Sequence, residues 1–383
     1  MSSKPLVFVT GASGYLGSVV VHELLKAGYP VRGSARGQKL SLLNEAFSSY
    51  QQFEAVEIID IATADLTEVF KGVGAIIHTA APLPGRADSI AAFRTAIDGS
   101  LNILRAATKA RIYKVVATGS IASFPENQYG PDDWVSLTRE EALQGNLVDV
   151  YIGEKKFSEQ AILQYAKEHP EMDVTICTFP SYSYGLAASH LHSVNPPWIF
   201  GPLAPGFESI VPTPEGSTLA FSSDAYIYQL LRPDNKVYQT FPGTIDVRDV
   251  ARIHIAALAA PTANETRPRR VAIASPEQTD FRDAIKFIHD ERPELRARLA
   301  DPETVPRWPS YQIDVDLTPV EESFGYPISA FKTWRETILD AVDRFIEIER
   351  HWASQGHRFE AVFFLDDCVL VPLTVFIHAM ATG

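Results

Sequence analysis

The segment Tyr151-Ile152-Gly153-Glu154-Lys155 spaces a phenol and an ammonium four residues apart, which on a helix puts them on one face. A phenol with its ordinary pKa of about 10 is too weak an acid to release a proton near neutrality. A lysine cation beside it favours the phenolate and lowers that pKa. The pair therefore suits protonation of a carbonyl oxygen while a hydride reaches its carbon, and the same lysine can hydrogen-bond the ribose of a hydride carrier. The substrate oxygen also needs a hydroxyl donor, and Thr118-Gly119-Ser120-Ile121-Ala122-Ser123 offers one at the end of a strand. A Tyr and a Lys at this spacing are common on helix surfaces, so the pair gains weight only from the elements around it.

The first of those elements is Thr10-Gly11-Ala12-Ser13-Gly14-Tyr15-Leu16-Gly17, which leaves a buried strand and opens an amphipathic helix. Gly11 permits a tight turn, Gly14 lets backbone approach a pyrophosphate, and Gly17 lets helix pack on strand. The amides from Ser13 through Tyr15 and Leu16, with the positive end of the helix dipole, complete a dinucleotide site. The second strand then discriminates between cofactors. An NAD site places an acid near its end, but Tyr29 to Asn44 holds no acid and carries Arg32, Arg36 and Lys39 instead. Arg36, with Lys39, is placed to hold a 2′-phosphate, which favours NADPH. Arg32 lies within the strand and reads as a surface residue. Asp60-Ile61 follows the third strand, where the carboxylate either accepts the adenine amino group or caps the strand end.

Strands are predicted over Leu6–Thr10, Val31–Ser34, Glu54–Ile59, Ala75–His78, Lys114–Thr118 and Val174–Cys177. Helices are predicted between and after them, over Tyr15–Ala27, Leu40–Phe47, Leu66–Val69, Ile90–Ala107 and Tyr151–Lys167. Strict alternation implies right-handed crossovers and an α/β, doubly wound Rossmann parallel sheet with its ligand at the carboxyl ends of the strands. Beyond residue 195 the pattern changes, and Asn195 to Pro214 alone holds six prolines. This predicts a Rossmann domain from 1–177 and 236–276. A smaller C-terminal substrate-binding lobe takes 195–235 and 277–349, with helices at Thr279–His289 and Ser329–Arg350.

The 383 residues, 46% hydrophobic and 21% charged, suit an ordinary globular protein. A net charge of −13 argues against nucleic acid as a partner. Two cysteines, Cys177 and Cys368, allow no disulfide framework, and His190 with His192 is too little for a metal site. No charged-then-apolar leader precedes the first strand, which with the low cysteine count leads us to expect a cytoplasmic protein, monomeric or homodimeric. The tail from 350–383 is apolar over Ala361–Leu365 and Val369–Ala381, but Asp366, Asp367 and Pro372 interrupt it, so no membrane anchor is expected.

In its motifs the chain resembles the extended short-chain dehydrogenases/reductases of the dihydroflavonol-reductase-like branch, nearest the fungal aldehyde and ketone reductases. The matching pieces are Thr10–Gly17, Gly33–Arg36, His78–Pro82, Asp98–Asn102, Tyr151–Lys155, Asn195–Pro202 and Ile245–Ala251, in the family's order. The resemblance implies that Ser120, Tyr151 and Lys155 form a catalytic triad, with Ser123 as the alternative to Ser120. It implies that Thr79, Ala80 and Ala81 lie along the cofactor and that backbone near Pro197 holds the nicotinamide amide. It implies an enzyme reducing an aldehyde or ketone with NADPH, in detoxification or in fungal secondary metabolism. An NAD-dependent epimerase or dehydratase, or a non-catalytic dinucleotide-binding regulator, would share much of the pattern. Phe207, Phe221, Tyr226 and Tyr228 in the lobe lean toward an apolar or aromatic carbonyl substrate. Two departures stand out. Gly119 replaces a usual serine, and Thr178–Val194 is an atypical insertion (17 residues, a whole number of codons) whose removal restores the family pattern, as a retained intron or gene-model error would.

Overall fold

A computed structural model describes residues 4–82, 88–125, 128–179, 198–211, 213–214, 217–238, 243–261, 270–307 and 315–357. Pro197, His190 with His192, the insertion beyond Phe179 and the tail from residue 358 lie outside the described residues. In chain order the first half runs β1 Leu6–Thr10, α1 Tyr15–Lys26, β2 Val31–Ala35, α2 Lys39–Ala46, β3 Phe53–Glu57, β4 Val73–His78, α3 Ser89–Ala110, β5 Lys114–Ser120, α4 Arg139–Gln144, α5 Leu147–Glu168 and β6 Asp173–Phe179. The second half runs β7 Trp198–Phe200, the short helices α6 Phe207–Ile210, α7 Ser217–Phe221 and α8 Ala225–Gln229, then β8 Thr244–Asp246, α9 Val247–Ala259, β9 Arg270–Ala272, α10 Phe281–Glu291, α11 Thr318–Phe324 and α12 Trp334–Ser354.

Seven strands form one parallel sheet in the order β3-β2-β1-β4-β5-β6-β9. The chain moves outward from β1 to β3 and returns to place β4 beside β1, so the order reverses there and opens a crevice at the carboxyl edge. Alternate residues feed opposite faces, as a period of two requires. Val7, Val9, Val116 and Cys177 join one core with α1 and α9. Phe8, Val115, Ala117, Val174 and Ile176 join another with α3 and α5. A separate two-stranded parallel sheet pairs β7 with β8.

Three local differences from the sequence reading bear on the site. Helix α5 begins at Leu147, four residues earlier than expected, because Asn146 and Asp149 form a reciprocal capping box. Tyr151 therefore sits in a well-anchored second turn. Strand β5 continues through Ser120 and β6 through Phe179, and the two stay in register to their ends. Leu66–Val69 is a turn rather than a helix, since the Asp65 carboxylate accepts both the Thr67 N–H at 2.9 Å and its hydroxyl at 2.6 Å.

Candidate active site

The turn between β1 and α1 has the geometry its glycines suggest. Gly11 lies at φ +67°, where side chains are disfavoured. A Cβ at Gly17 would fall 2.0 Å from the Gly11 carbonyl oxygen, so only glycine lets helix meet turn this closely. Gly14 caps α1 without a side-chain bond, and the first helical turn holds no acid, which leaves amides and dipole facing outward beside the half-buried Ser13 and Leu16. Tyr15 points elsewhere. Its buried phenol donates to the Gly201 carbonyl at 2.9 Å, tying the turn to the residue after β7, so any contact it gives a dinucleotide comes from its backbone.

Arg36 and Lys39 are exposed just beyond β2, and the Arg36 side chain makes no hydrogen bond or ion pair among the described residues. Arg32 is not free: it donates to the Val69 carbonyl at 2.6 Å and the Lys71 carbonyl at 2.9 Å, and pairs with Glu54. The register of β2 with β3 sets Glu57 beside Ala35, and its carboxylate accepts the Gly37 N–H at 3.1 Å. An acid thus does stand at the tip of β2, delivered by the neighbouring strand and invisible to a search of residues 29–44. Asp60 behaves as a cap: it accepts from Ala62 N–H and the Thr63 hydroxyl, and pairs with Arg94 at 3.1 Å. Those bonds hold its pKa below the usual carboxylate value. The Ile61 carbonyl is taken by Asn102 at 3.0 Å.

Beyond β4, the Thr10 hydroxyl accepts from the Thr79 and Ala80 amides at 3.1 Å, and the Thr79 hydroxyl donates to the Thr10 carbonyl at 2.6 Å. Thr79–Ala81 is thereby locked against the glycine turn across the crevice. His78 is buried between Thr10 (2.7 Å) and Ser100 (3.1 Å). Burial, and then the charge of Lys155, push its pKa down to about 4, so it is neutral at physiological pH.

On α5, Tyr151 is buried beside Ala122 and the half-buried Lys155 places Nζ 5.7 Å from the Tyr151 ring centroid. Lys155 lines a cavity with His78, Ala80, Ala81 and Thr118, which joins the helix to the ends of β4 and β5. Ser120 is fully buried and its Oγ accepts the Ala122 N–H at 3.1 Å. Two helical turns beyond Tyr151, Glu159 accepts the Ser120 N–H at 2.8 Å and the Ser123 hydroxyl at 2.9 Å. Arg270 completes the arrangement: Nε donates to Glu159 at 3.0 Å and an Nη donates to Ser123 at 2.7 Å. Its guanidinium lies between the rings of Phe124 (3.4 Å) and Trp134 (3.7 Å). Burial raises the Glu159 pKa, while Arg270 and the Ser120 amide oppose that rise. Ser123 is thus committed to this network.

Gly119 also has a reason in this structure. A Cβ there would lie 2.8 Å from Glu159 Oε1 and 2.8 Å from Ile176 Cγ2. His254 accepts from Thr118 at 2.8 Å and donates to the Val250 carbonyl, a structural role. The lobe aromatics require a correction. Phe207, Phe221, Tyr226 and Tyr228 are all buried in its core, where Phe221 packs on Phe345 and Trp352, so they do not form a substrate wall.

Sheet order, glycine turn and helical Tyr–Lys pair together describe a Rossmann-type oxidoreductase of the extended short-chain dehydrogenase/reductase class. The chain belongs to the NAD dependent epimerase/dehydratase family, whose model matches residues 7–194. It is 26% identical over 369 residues to the NADPH-dependent methylglyoxal reductase of Saccharomyces cerevisiae, covering 90% of this chain and 98% of that one. It is 30% identical over 277 residues to a ketoreductase of Penicillium roqueforti, covering 68% of this chain and 74% of that one. The crystal structure of yeast methylglyoxal/isovaleraldehyde reductase complexed with NADPH superposes with a TM-score of 0.68 at 24% identity, over 90% of this chain and 99% of that one. Among the described residues no helix is long and apolar enough to cross a membrane.

Proposed function

We infer that the protein is an NADPH-dependent oxidoreductase that reduces an aldehyde or ketone to the alcohol. The observation that carries this reading is the meeting, at one sheet edge, of the glycine turn with Thr79–Ala81 and of Ala80 and Ala81 with Lys155. The residues present fit the cofactor. The close approach of Gly17 to Gly11 and the outward amides of α1 suit a pyrophosphate, and exposed Arg36 with Lys39 suits a 2′-phosphate. Lys155 would hold the nicotinamide ribose, with Pro197 contributing backbone to the amide. When bound, NADPH supplies the hydride.

The remaining work falls to this chain. Tyr151 gives its phenolic proton to the substrate oxygen, and the Lys155 charge favours the phenolate that remains. Ser120 orients the carbonyl with a hydroxyl whose backbone is fixed by Glu159. We place the substrate among small aldehydes and ketones, with no preference for aromatic ones now that the lobe aromatics are core residues, and the enzyme in the cytosol, as a monomer or homodimer.

Oxidation of NADPH, followed by its absorbance against a panel of aliphatic and aromatic aldehydes and ketones with methylglyoxal included, tests this reading. Wild type turns over at least one carbonyl, and Tyr151→Phe loses about a hundredfold or more in kcat. Equal turnover by Tyr151→Phe would remove Tyr151 as the proton donor.

A further inference from the structure

Glu154 immediately precedes Lys155 on α5 and is an anomaly. Only 2% of it is exposed, and its Oε2 has no hydrogen-bond partner. Buried carboxyl oxygens are normally satisfied, because leaving one unpaired costs stability. Glu154 and Lys155 both line a cavity of about 20 Å³. That is enough for one water, and the Ser100, Thr118 and Ser158 hydroxyls in its wall supply the polar partners a water needs. Burial pushes the Glu154 pKa up to about 7 against the pull of the Lys155 charge, so this carboxyl both holds and releases a proton near neutrality.

The other groups facing the cavity do not compete for that role. His78, at the end of β4, is neutral, with its pKa near 4. Glu159, on α5, is committed to Arg270, Ser120 and Ser123. The lining contributed by α3 (Ala96, Ser100), β5 (Thr118) and β6 (Ile176) contains nothing that titrates.

We propose that Glu154 supplies the proton that restores Tyr151 after each reduction, passing it to Lys155 through a water in the polar cavity the two side chains share. The inference rests on the reading of Tyr151 and Lys155 given above. When the Tyr151 O–H bond breaks and its proton joins the alkoxide, the phenolate takes a proton from the Lys155 ammonium. The resulting amine takes one from the water, the water takes one from the Glu154 carboxyl, and the carboxylate is refilled from solvent past Ala81, an exposed residue of the cavity wall. One solvent proton is consumed per hydride, and Glu154 undergoes no redox change. It acts through Lys155 and touches neither substrate nor cofactor.

Glu154→Gln preserves the shape and cannot titrate. In the full chain, with NADPH and the fastest carbonyl of the panel, the wild-type kcat should fall as pH rises through about 7, where the carboxyl empties. In Glu154→Gln that limb should vanish, with kcat about tenfold below wild type at pH 6, similar to it at pH 9, and KM within about twofold throughout. Glu154→Asp keeps a carboxyl and should retain the limb at a reduced rate, which covers the case of a poorly folding Gln variant. A second readout needs no turnover: infrared difference spectra of the purified chain should show a protonated carboxyl band titrating near pH 7 that Glu154→Gln lacks. Wild-type kcat and an unchanged limb in Glu154→Gln, or no such band in wild type, overturns the proposal. Tyr151→Phe run in parallel separates the two readings. Its inactivity beside a fully active Glu154→Gln sinks the relay alone, whereas its full activity sinks the assignment of Tyr151 itself.

Discussion

The Glu159 carboxylate grips the Ser120 amide at 2.8 Å with one oxygen while the other holds Ser123 and Arg270. Ser120 closes β5 and Glu159 lies on α5, so this bond sets the distance between the strand that bears Ser120 and the helix that bears Tyr151. Arg270 opposes the rise that burial imposes on the Glu159 pKa and is itself held by two aromatic rings. The whole arrangement is a positioning device assembled from β5, α5 and β9.

Arg270→Met should therefore cost about 3–5 kcal/mol, the usual loss when one member of a buried ion pair is removed. It should also lower kcat by about tenfold or more, because Glu159 loses the partner that holds its carboxyl toward the Ser120 amide. Denaturant unfolding and steady-state kinetics measure the two effects. The double variant Arg270→Met with Glu159→Leu should recover much of the stability and none of the kcat. Recovery of both together would reduce the pair to a packing element.

Gly119→Ala puts a methyl group 2.8 Å from both Glu159 Oε1 and Ile176 Cγ2. Glu159 cannot swing aside without releasing Ser120, so the strain must fall on β5 and β6. A loss of about 1–3 kcal/mol is expected, with a fall in kcat beyond any change in KM. A variant with wild-type melting temperature and kcat would mean that Glu159 yields more readily than its bonds suggest.

Arg36→Ala should weaken NADPH by about tenfold or more, the size of a lost charge-assisted hydrogen bond, and leave NADH affinity unchanged. Titration of the cofactors' fluorescence reads both dissociation constants. An equal loss for the two cofactors would move the 2′-phosphate contact away from Arg36.

The parts of this molecule that the sequence revealed are those written in local spacing. The alternation of strands and helices, the turn at Gly11–Gly17 and the Tyr151–Lys155 pair each depend on neighbours a few residues apart, and apart from the expected helix at Leu66–Val69 each is where the pattern puts it. What escaped depends on long-range pairing. Arg270 and Glu159 are 111 residues apart in sequence, and nothing near either one announces the other. Glu57 reaches the tip of β2 only through strand register, which is how an acid entered a stretch read as free of acids. Tyr15 reads as part of the cofactor turn, and spacing could not show that its phenol follows the core to Gly201, 186 residues away. The lobe aromatics misled for a related reason: composition gives residue types but not the face they occupy, and here the core claimed them.

Asp249 on α9 offers a stability test independent of catalysis. Its carboxylate accepts the Tyr326 hydroxyl at 2.8 Å and the Lys332 N–H at 2.8 Å, binding α9 to the segment that precedes α12. Burial, reinforced by the nearby charge of Asp246, pushes its pKa up to about 6 from an ordinary 3.8. Between those values the folded chain binds this proton more tightly than the unfolded chain does. The group therefore favours folding at low pH, and that contribution is lost as pH rises through about 6. Asp249→Asn removes the titration and leaves only a constant offset from its altered hydrogen bonds. Its unfolding free energy minus that of wild type should accordingly increase from pH 4 to pH 6 by about 2–3 kcal/mol and stay level to pH 8. Urea unfolding of both proteins across that range measures the difference, and a flat profile would place the Asp249 carboxylate in a more hydrated setting than its two short hydrogen bonds indicate.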